Sequence, residues 1–176
     1  MNIETEDNQL TARPPRPLDS FDRKILGALS ENGRATYAEI GEIVGLSAPA
    51  VFERVKRLRS SGTLTGISAR IDGPSSGKDF LAFVHVDADG WGKSERMLTL
   101  RRFPEVEEMH SVAGDTCVIM KVRTANAHAL EQLLSQLYVL PGVRGTKSFI
   151  VLSTYLERGV HADITTEWPT VPLPTS

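Results

Sequence analysis

The sequence predicts an α+β chain of two unlike domains: a three-helix head, then a sheet domain with the element order β-α-β-β-α-β. Three observations lead there. Apolar residues recur at helical spacing from Phe21 to Leu58, whereas the later runs Phe80–Ala88, Val106–Ala113 and Thr116–Arg123 read as strands. Glycine closes each helix of the head, at Gly33, Gly45 and Gly62. Further on, Gly114-Asp115 joins two of the strand-like runs as a tight hairpin.

Taken in order, residues 1–17 are polar and then proline-rich (ARPPRP), and a disordered arm is expected. Arg13 and Arg16 could reach a phosphate backbone, although a plain flexible tail is the stronger expectation. The head spans 18–62. Asp19 caps a first helix that runs to Asn32 and turns Phe21, Ile25, Leu26 and Leu29 inward. Thr36 and Glu39 form the capping box of a second helix. Gly41 lets the second and third helices approach closely, and Gly45 supplies the positive φ that ends the second. Leu46 plugs the turn, Ser47 is a good N-cap for the third helix, and Pro49 falls in its first turn, where a missing N–H costs nothing. Val51, Val55 and Leu58 form its inward stripe.

At 100° per residue from Val51, the residues pointing away from the core are Ala50, Glu53, Lys56 and Arg57. Arg54 lies on the flank and Arg59 near the end. A helix, a tight turn and a basic second helix are the parts with which a small protein presents side chains to the major groove of DNA. Arg54, Lys56, Arg57 and Arg59 could meet phosphates, and Glu53 or Arg57 could reach base edges. Arg54 is the most structural of these, placed to pair with Glu39 or Asp22. A merely solvated face is the bland alternative; the paired glycines, the Ser47 cap and the Val51 stripe favour DNA. Basic residues barely outnumber acidic ones between Asp19 and Gly62, and the whole chain carries a net charge of −2. That excludes a non-specific polyanion coat, so binding would depend on a local patch present in more than one copy.

Residues 63–77 are expected to be a hinge, with a β-prone strand over Thr63–Ile71 and a loop over Asp72–Gly77 (DGPSSG). The second domain spans 78–158. Its elements are a strand at Phe80–Ala88, a helix at Lys93–Phe103 ended by Pro104, strands at Val106–Ala113 and Thr116–Arg123, a helix at Asn126–Leu140, and a long last strand at Val143–Leu156. This is the ferredoxin-like arrangement, with helices on one face of an antiparallel sheet. A type II′ turn at Gly114-Asp115 would set Val112 opposite Cys117, His110 opposite Ile119, and Glu108 opposite Lys121. Met109, Val118, Met120 and Val122 then lie under the helices, matched by the stripe Leu130, Leu133, Leu134 and Leu137. The other face, with His110, Val112, Cys117 and Ile119, is mostly apolar and uncovered, so a dimer is expected to bury it. Residues 159–176 read as a loose tail that Trp168 could dock.

Composition bounds the function classes. The 176 residues include one cysteine, no long apolar run and no basic-then-apolar leader at Met1. No membrane span, secretion or disulfide framework is expected, and a cytoplasmic location fits. His85, His110, His128, His161 and Cys117 lack any close ligand spacing, so neither a metal nor a cofactor is expected. Cys117 reads as a small buried thiol, with no basic neighbour in sequence to activate it. No nucleophile motif, phosphate loop or catalytic carboxylate pair stands out.

The segments LDSFDRKILGALSENGRATYAEIGEIVGLSAPAVFERVKRLRSSGTLTG, HSVAGDTCVIMKV and LPGVRGTKSFIVL resemble the Lrp/AsnC, or feast/famine, transcriptional regulators over about Leu18 to Arg158. The resemblance implies a winged-helix-like helix-turn-helix head, a hinge strand, and a βαββαβ domain that pairs into dimers and larger rings such as tetramers or octamers. It implies double-stranded operator DNA and a small effector, an amino acid, as partners. The family's DNA-reading positions fall on Ser47, Ala48, Ala50, Glu53, Arg54 and Arg57, with Lys56 beside them. Its sensing site, near a contact between dimers, falls on Gly114, Asp115, Thr116 and Cys117, with Ser148, Phe149, Ile150 and Val151 from the last strand. Free N–H groups in a glycine turn suit a carboxylate, and Asp115 suits an ammonium. Where many members carry an acidic-aromatic pair after the turn, this chain has Thr116-Cys117-Val118, which leaves the effector open, and the turn could be only a tight hairpin. Two rival roles share the architecture: a tetrapyrrole (siroheme) decarboxylase with His110 as a contact, and a sensor or assembly module whose head has lost DNA binding.

Overall fold

The computed structural model describes residues 17–89 and 95–167. The expected arm over 1–16, the start of the helix at Lys93, and Trp168 lie outside the described residues. The described residues divide into two compact units, one of residues 17–69 with 158–167, the other within Arg70–Glu157.

The first unit holds α1 (Ser20–Glu31), α2 (Tyr37–Val44) and α3 (Ala48–Ser60). Asp19 caps α1 by accepting the Asp22 N–H at 2.8 Å. Both halves of the Thr36–Glu39 capping box form, and Gly45 ends α2 at φ +76°. A Cβ on Gly41 would lie 2.4 Å from the Leu46 carbonyl oxygen. The close approach that Gly41 permits is therefore to the turn itself. Ser47 has the extended backbone of an N-cap, but its side chain makes no capping bond, and Pro49 stands in the first turn. Ile25, Leu29, Ile40, Val44, Val51, Val55 and Leu58 make the core. The expected strand over 63–71 is absent. Leu64 closes back on α3 through its N–H to the Leu58 carbonyl (3.0 Å), and among the described residues no strand pairs with those that follow. Residues 158–167 belong to this unit, where the Arg23 guanidinium donates to the Ala162 carbonyl.

The second unit is a four-stranded antiparallel sheet of β1 (Phe80–Ala88), β2 (Val106–Ser111), β3 (Val118–Thr124) and β4 (Val143–Ile150), in the order β2-β3-β1-β4. Its described helices are α4 (Glu95–Leu98), continued by a 3-10 turn at Thr99–Arg102, and α5 (Ala127–Tyr138). The expected helix over Lys93–Phe103 is thus shortened and tightened where it is described. Asn126 caps α5 by accepting the Ala129 N–H. Ala82, Val84, Val86, Val118, Met120 and Val122 are buried against Met97, Leu100, Leu130, Leu133 and Leu137, with Met109 packed beside them. The register holds: His110 faces Ile119 and Glu108 faces Lys121. The hairpin between them is wider than a two-residue turn, although Val112 still donates to the Cys117 carbonyl at 3.0 Å. Gly114 has φ +152°, far from the roughly +60° a type II′ turn requires. The cause lies in β1, whose Val86 carbonyl accepts both the Cys117 N–H (3.1 Å) and the Thr116 hydroxyl (2.9 Å) and draws the chain away from β2. The last strand stops at Ile150 instead of Leu156, because its partner β1 begins at Phe80; one further bond, Val151 N–H to Leu81 O, ends the ladder.

Candidate nucleic-acid interface and effector recess

Helix α3 buries Val51, Val55 and Leu58 and turns Ser47, Glu53, Lys56, Arg57 and Arg59 to solvent, with Ala48 and Ala50 half-buried beside them. Among the described residues, Lys56 and Arg59 have no acidic partner. Arg54 is spoken for: its Nη1 lies 2.7 Å from both Asp19 Oδ2 and Asp22 Oδ1, and its guanidinium sits 5.3 Å from the centre of the Phe21 ring. The partner is Asp22, as expected, joined by Asp19; Glu39 is taken by its own cap at Thr36. The Arg54 hydrogen bond holds the Asp19 carboxyl below its ordinary range, helped by the cap bond to Asp22, and Asp19 in turn raises Arg54. Arg57 also reaches Asp22, with Nη2 at 2.9 Å, yet keeps 44 % of its side chain open. The expected reading set of seven residues, Lys56 included, thus separates. Arg54 braces α3 on α1, Arg57 is half-restrained, and Lys56 with Glu53 stands free. Phe52, 44 % exposed on the same helix and in edge-on contact with Tyr37, was not among the sequence candidates. Its signal was an aromatic lying 100° from Val51, off the inward stripe.

In the second unit the sheet's uncovered face carries Phe83 opposite Phe149 and His85 opposite Lys147. The His85 ring lies 4.9 Å from that of Phe149, and the Lys147 ammonium 5.0 Å from the same ring. Where this face meets the hairpin there is a recess of about 570 Å³, lined by Asp115, Thr116, Phe149, His85, Asp87, Gly145, Thr146 and Lys147. Of the expected effector residues, Asp115, Thr116 and Phe149 therefore come together. Gly114 sits at the hairpin's bend without lining the recess. The Cys117 thiol turns toward the Ala88 carbonyl (3.2 Å) and packs against the edge of the core. Ser148 and Ile150 pair with the buried Val84 and Ala82, so they share the helix-covered side. Val151 lines a separate recess with Arg70, Asp72, Arg123 and Glu157. A strand's period of two forbids four consecutive residues from lining one surface. The same period would have picked out His85, Asp87 and Lys147, which sequence reasoning missed. Among the described residues no three His, Cys, Asp or Glu side chains gather as a metal site, and no helix is long and apolar enough to cross a membrane.

A trihelical head with an exposed basic third helix, joined to a βαββαβ domain, defines a two-domain regulator class, and comparison with known proteins agrees. Residues 18–59 match the AsnC-type helix-turn-helix domain and residues 81–160 the Lrp/AsnC ligand binding domain. The chain is 39 % identical over 145 residues to the HTH-type transcriptional regulator LrpA of Mycobacterium tuberculosis, covering 82 % of this chain and 96 % of that one. It is 37 % identical over 141 residues to the HTH-type transcriptional regulator FL11 of Pyrococcus horikoshii, covering 80 % and 93 %. Among solved structures it is similar to the feast or famine regulatory protein of M. tuberculosis complexed with L-methionine, with TM-score 0.75, 37 % identity, and 84 % of this chain and all of that one covered. The chain belongs to the Lrp/AsnC family of transcriptional regulators.

Proposed function

We propose that this regulator reads a specific operator with α3, through Ser47, Ala48, Ala50, Glu53, Lys56 and Arg57, while Arg54 positions the helix. The observation that carries this is a helix whose inner stripe is fully buried and whose outer side offers Lys56 and Arg59 without acidic partners. A small amino acid is the effector, held near Asp115, Thr116 and Phe149 with Gly114 and Cys117 shaping the hairpin; the chemistry of a carboxylate, an ammonium and an aromatic ring in one recess supports this. Ser148 and Ile150 act on that site by flanking Phe149 in β4, and Val151, which lines the other recess, lies beyond it. The protein works as a dimer or larger ring formed through its sheet domains, in the cytoplasm. Its named relatives are transcriptional regulators, which favours a non-enzymatic role over the decarboxylase reading.

The test is fluorescence anisotropy on the DNA upstream of its own coding sequence against a shuffled duplex at one salt concentration, with and without a pooled amino-acid mixture. Tighter binding to the native duplex, altered by the mixture, is expected. Lys56→Ala should weaken binding to both duplexes alike and reduce the logarithmic salt slope by about 1. Specific binding indifferent to the mixture would remove the effector assignment. A head that binds neither duplex better than Lys56→Ala does would leave an assembly module.

A further inference from the structure

Phe52 is at odds with the helix that carries it. Val51 and Val55 are buried (0 % and 2 % exposed), but Phe52 leaves 44 % of its surface open. The ring is nevertheless held. Tyr37, the first residue of α2, meets it edge-on, with ring centroids 5.6 Å apart and planes at 65°. Such a pair restricts the phenyl before any partner arrives. Ala48 stands one turn before Phe52 on α3 and Lys56 one turn after, so the ring lies in a row with two residues of the DNA-reading set. The third helix thus has two characters side by side: an apolar flank of Ala48 and Phe52, and a charged one of Glu53 and Arg57. The major groove offers one apolar group, the C5-methyl of thymine, and alanine and phenylalanine are among the side chains that contact it.

We propose that Phe52, braced by Tyr37, reads a thymine methyl in the major groove. This rests on the operator reading above and adds to it a preference that charge alone cannot give. The test begins with a duplex enriched by the full-length wild-type chain from a randomised pool. Each thymine is then replaced in turn by deoxyuridine, which deletes only the methyl. The wild type should lose about fourfold in Kd at one thymine of each half-site, the equivalent of one buried methylene-sized group. Phe52→Ala should bind the parent duplex more weakly and show no further loss at that thymine, while Phe52→Leu keeps part of the sensitivity. An unchanged thermal melt of both variants separates the effect from misfolding. A wild type indifferent to every deoxyuridine, or a Phe52→Ala variant still fourfold sensitive at the same thymine, would overturn the contact and leave DNA binding standing. A wild type that enriches no sequence overturns the operator reading and the thymine contact together.

Discussion

Asp22 is the residue on which the head's electrostatics turn. It is 5 % exposed and takes both Arg54 and Arg57, so one carboxylate fixes α3 against α1 and withholds part of the charge of a solvent-facing arginine. Asp22→Asn keeps the shape and removes the charge. Arg54 retains Asp19 and both arginines can reach water, so the loss belongs to the lower part of the range for an unsatisfied polar partner, about 1–3 kcal/mol, measurable by urea unfolding. The same variant should bind non-specific duplex more tightly and with a steeper salt dependence, because Arg57 is released toward phosphate. A variant that is less stable but has an unchanged salt slope would mean that Arg57 is not a DNA ligand. The partner of Arg54 was half-legible in the sequence: Asp22 was one of two carboxylates expected there, whereas Asp19 reads as a cap and does both jobs.

At the scale of elements, α2 and its turn are the most tightly specified part of the chain. Gly41→Ala would drive a Cβ to 2.4 Å from the Leu46 carbonyl, a backbone atom that cannot swing aside. Overpacking of this kind costs about 1–3 kcal/mol, and a lowered melting temperature of the head is expected. A variant that melts with the wild type would show that the turn can open without penalty. Glu39 gives the helix a pH signature. Hydrogen bonds from Thr36 hold its carboxyl below the ordinary 4.5, so its contribution is complete above that pH and is lost as pH falls through the depressed value. Glu39→Gln keeps the box without the titration and should flatten that acid limb of the unfolding curve; an acid limb unaltered by the change would assign it to other carboxylates, such as Asp19. Helices were legible because caps, stripes and stops are local: Thr36, Gly45 and Asn126 each act within a few residues. Strand limits were not, because they depend on where a partner ends. Thr63–Ile71 has the right pattern but no strand among the described residues to pair with, and Val143–Leu156 outruns β1 after Ile150. The hairpin register was legible from centring the two strands on Gly114-Asp115, but the form of the turn was not, since Val86 on a third strand captures Thr116 and Cys117. The effector residues were carried over from the resemblance as consecutive runs, although only alternate residues of a strand can share a face.

At the scale of the molecule, a sheet with its helices on one side must do something with the other. Phe83 and Phe149 stand opposite each other there, 39 % and 44 % exposed, beside His85 and Lys147. Self-association through this face would cover the pair and bring two copies of α3 to one duplex, which a head of near-balanced charge needs for affinity. Phe149→Glu sets a carboxylate in that interface and should bring the mass measured by light scattering down to the 19.3 kDa of one chain, with operator affinity falling in step. The effector enters at the same level. The recess at Asp115 and Thr116 opens on that uncovered face, and a ligand can move an assembly equilibrium only by binding its states unequally. If the recess changes shape between a dimer and a ring of dimers, a saturating amino acid should shift the mass distribution of the wild type. It should leave that of Asp115→Ala unmoved, since Asp115, in the lining of the recess, is the carboxylate proposed for the ligand's ammonium. A wild-type distribution that stays fixed while calorimetry records binding would rule out control through assembly and leave reorientation of the heads as the route from effector to operator.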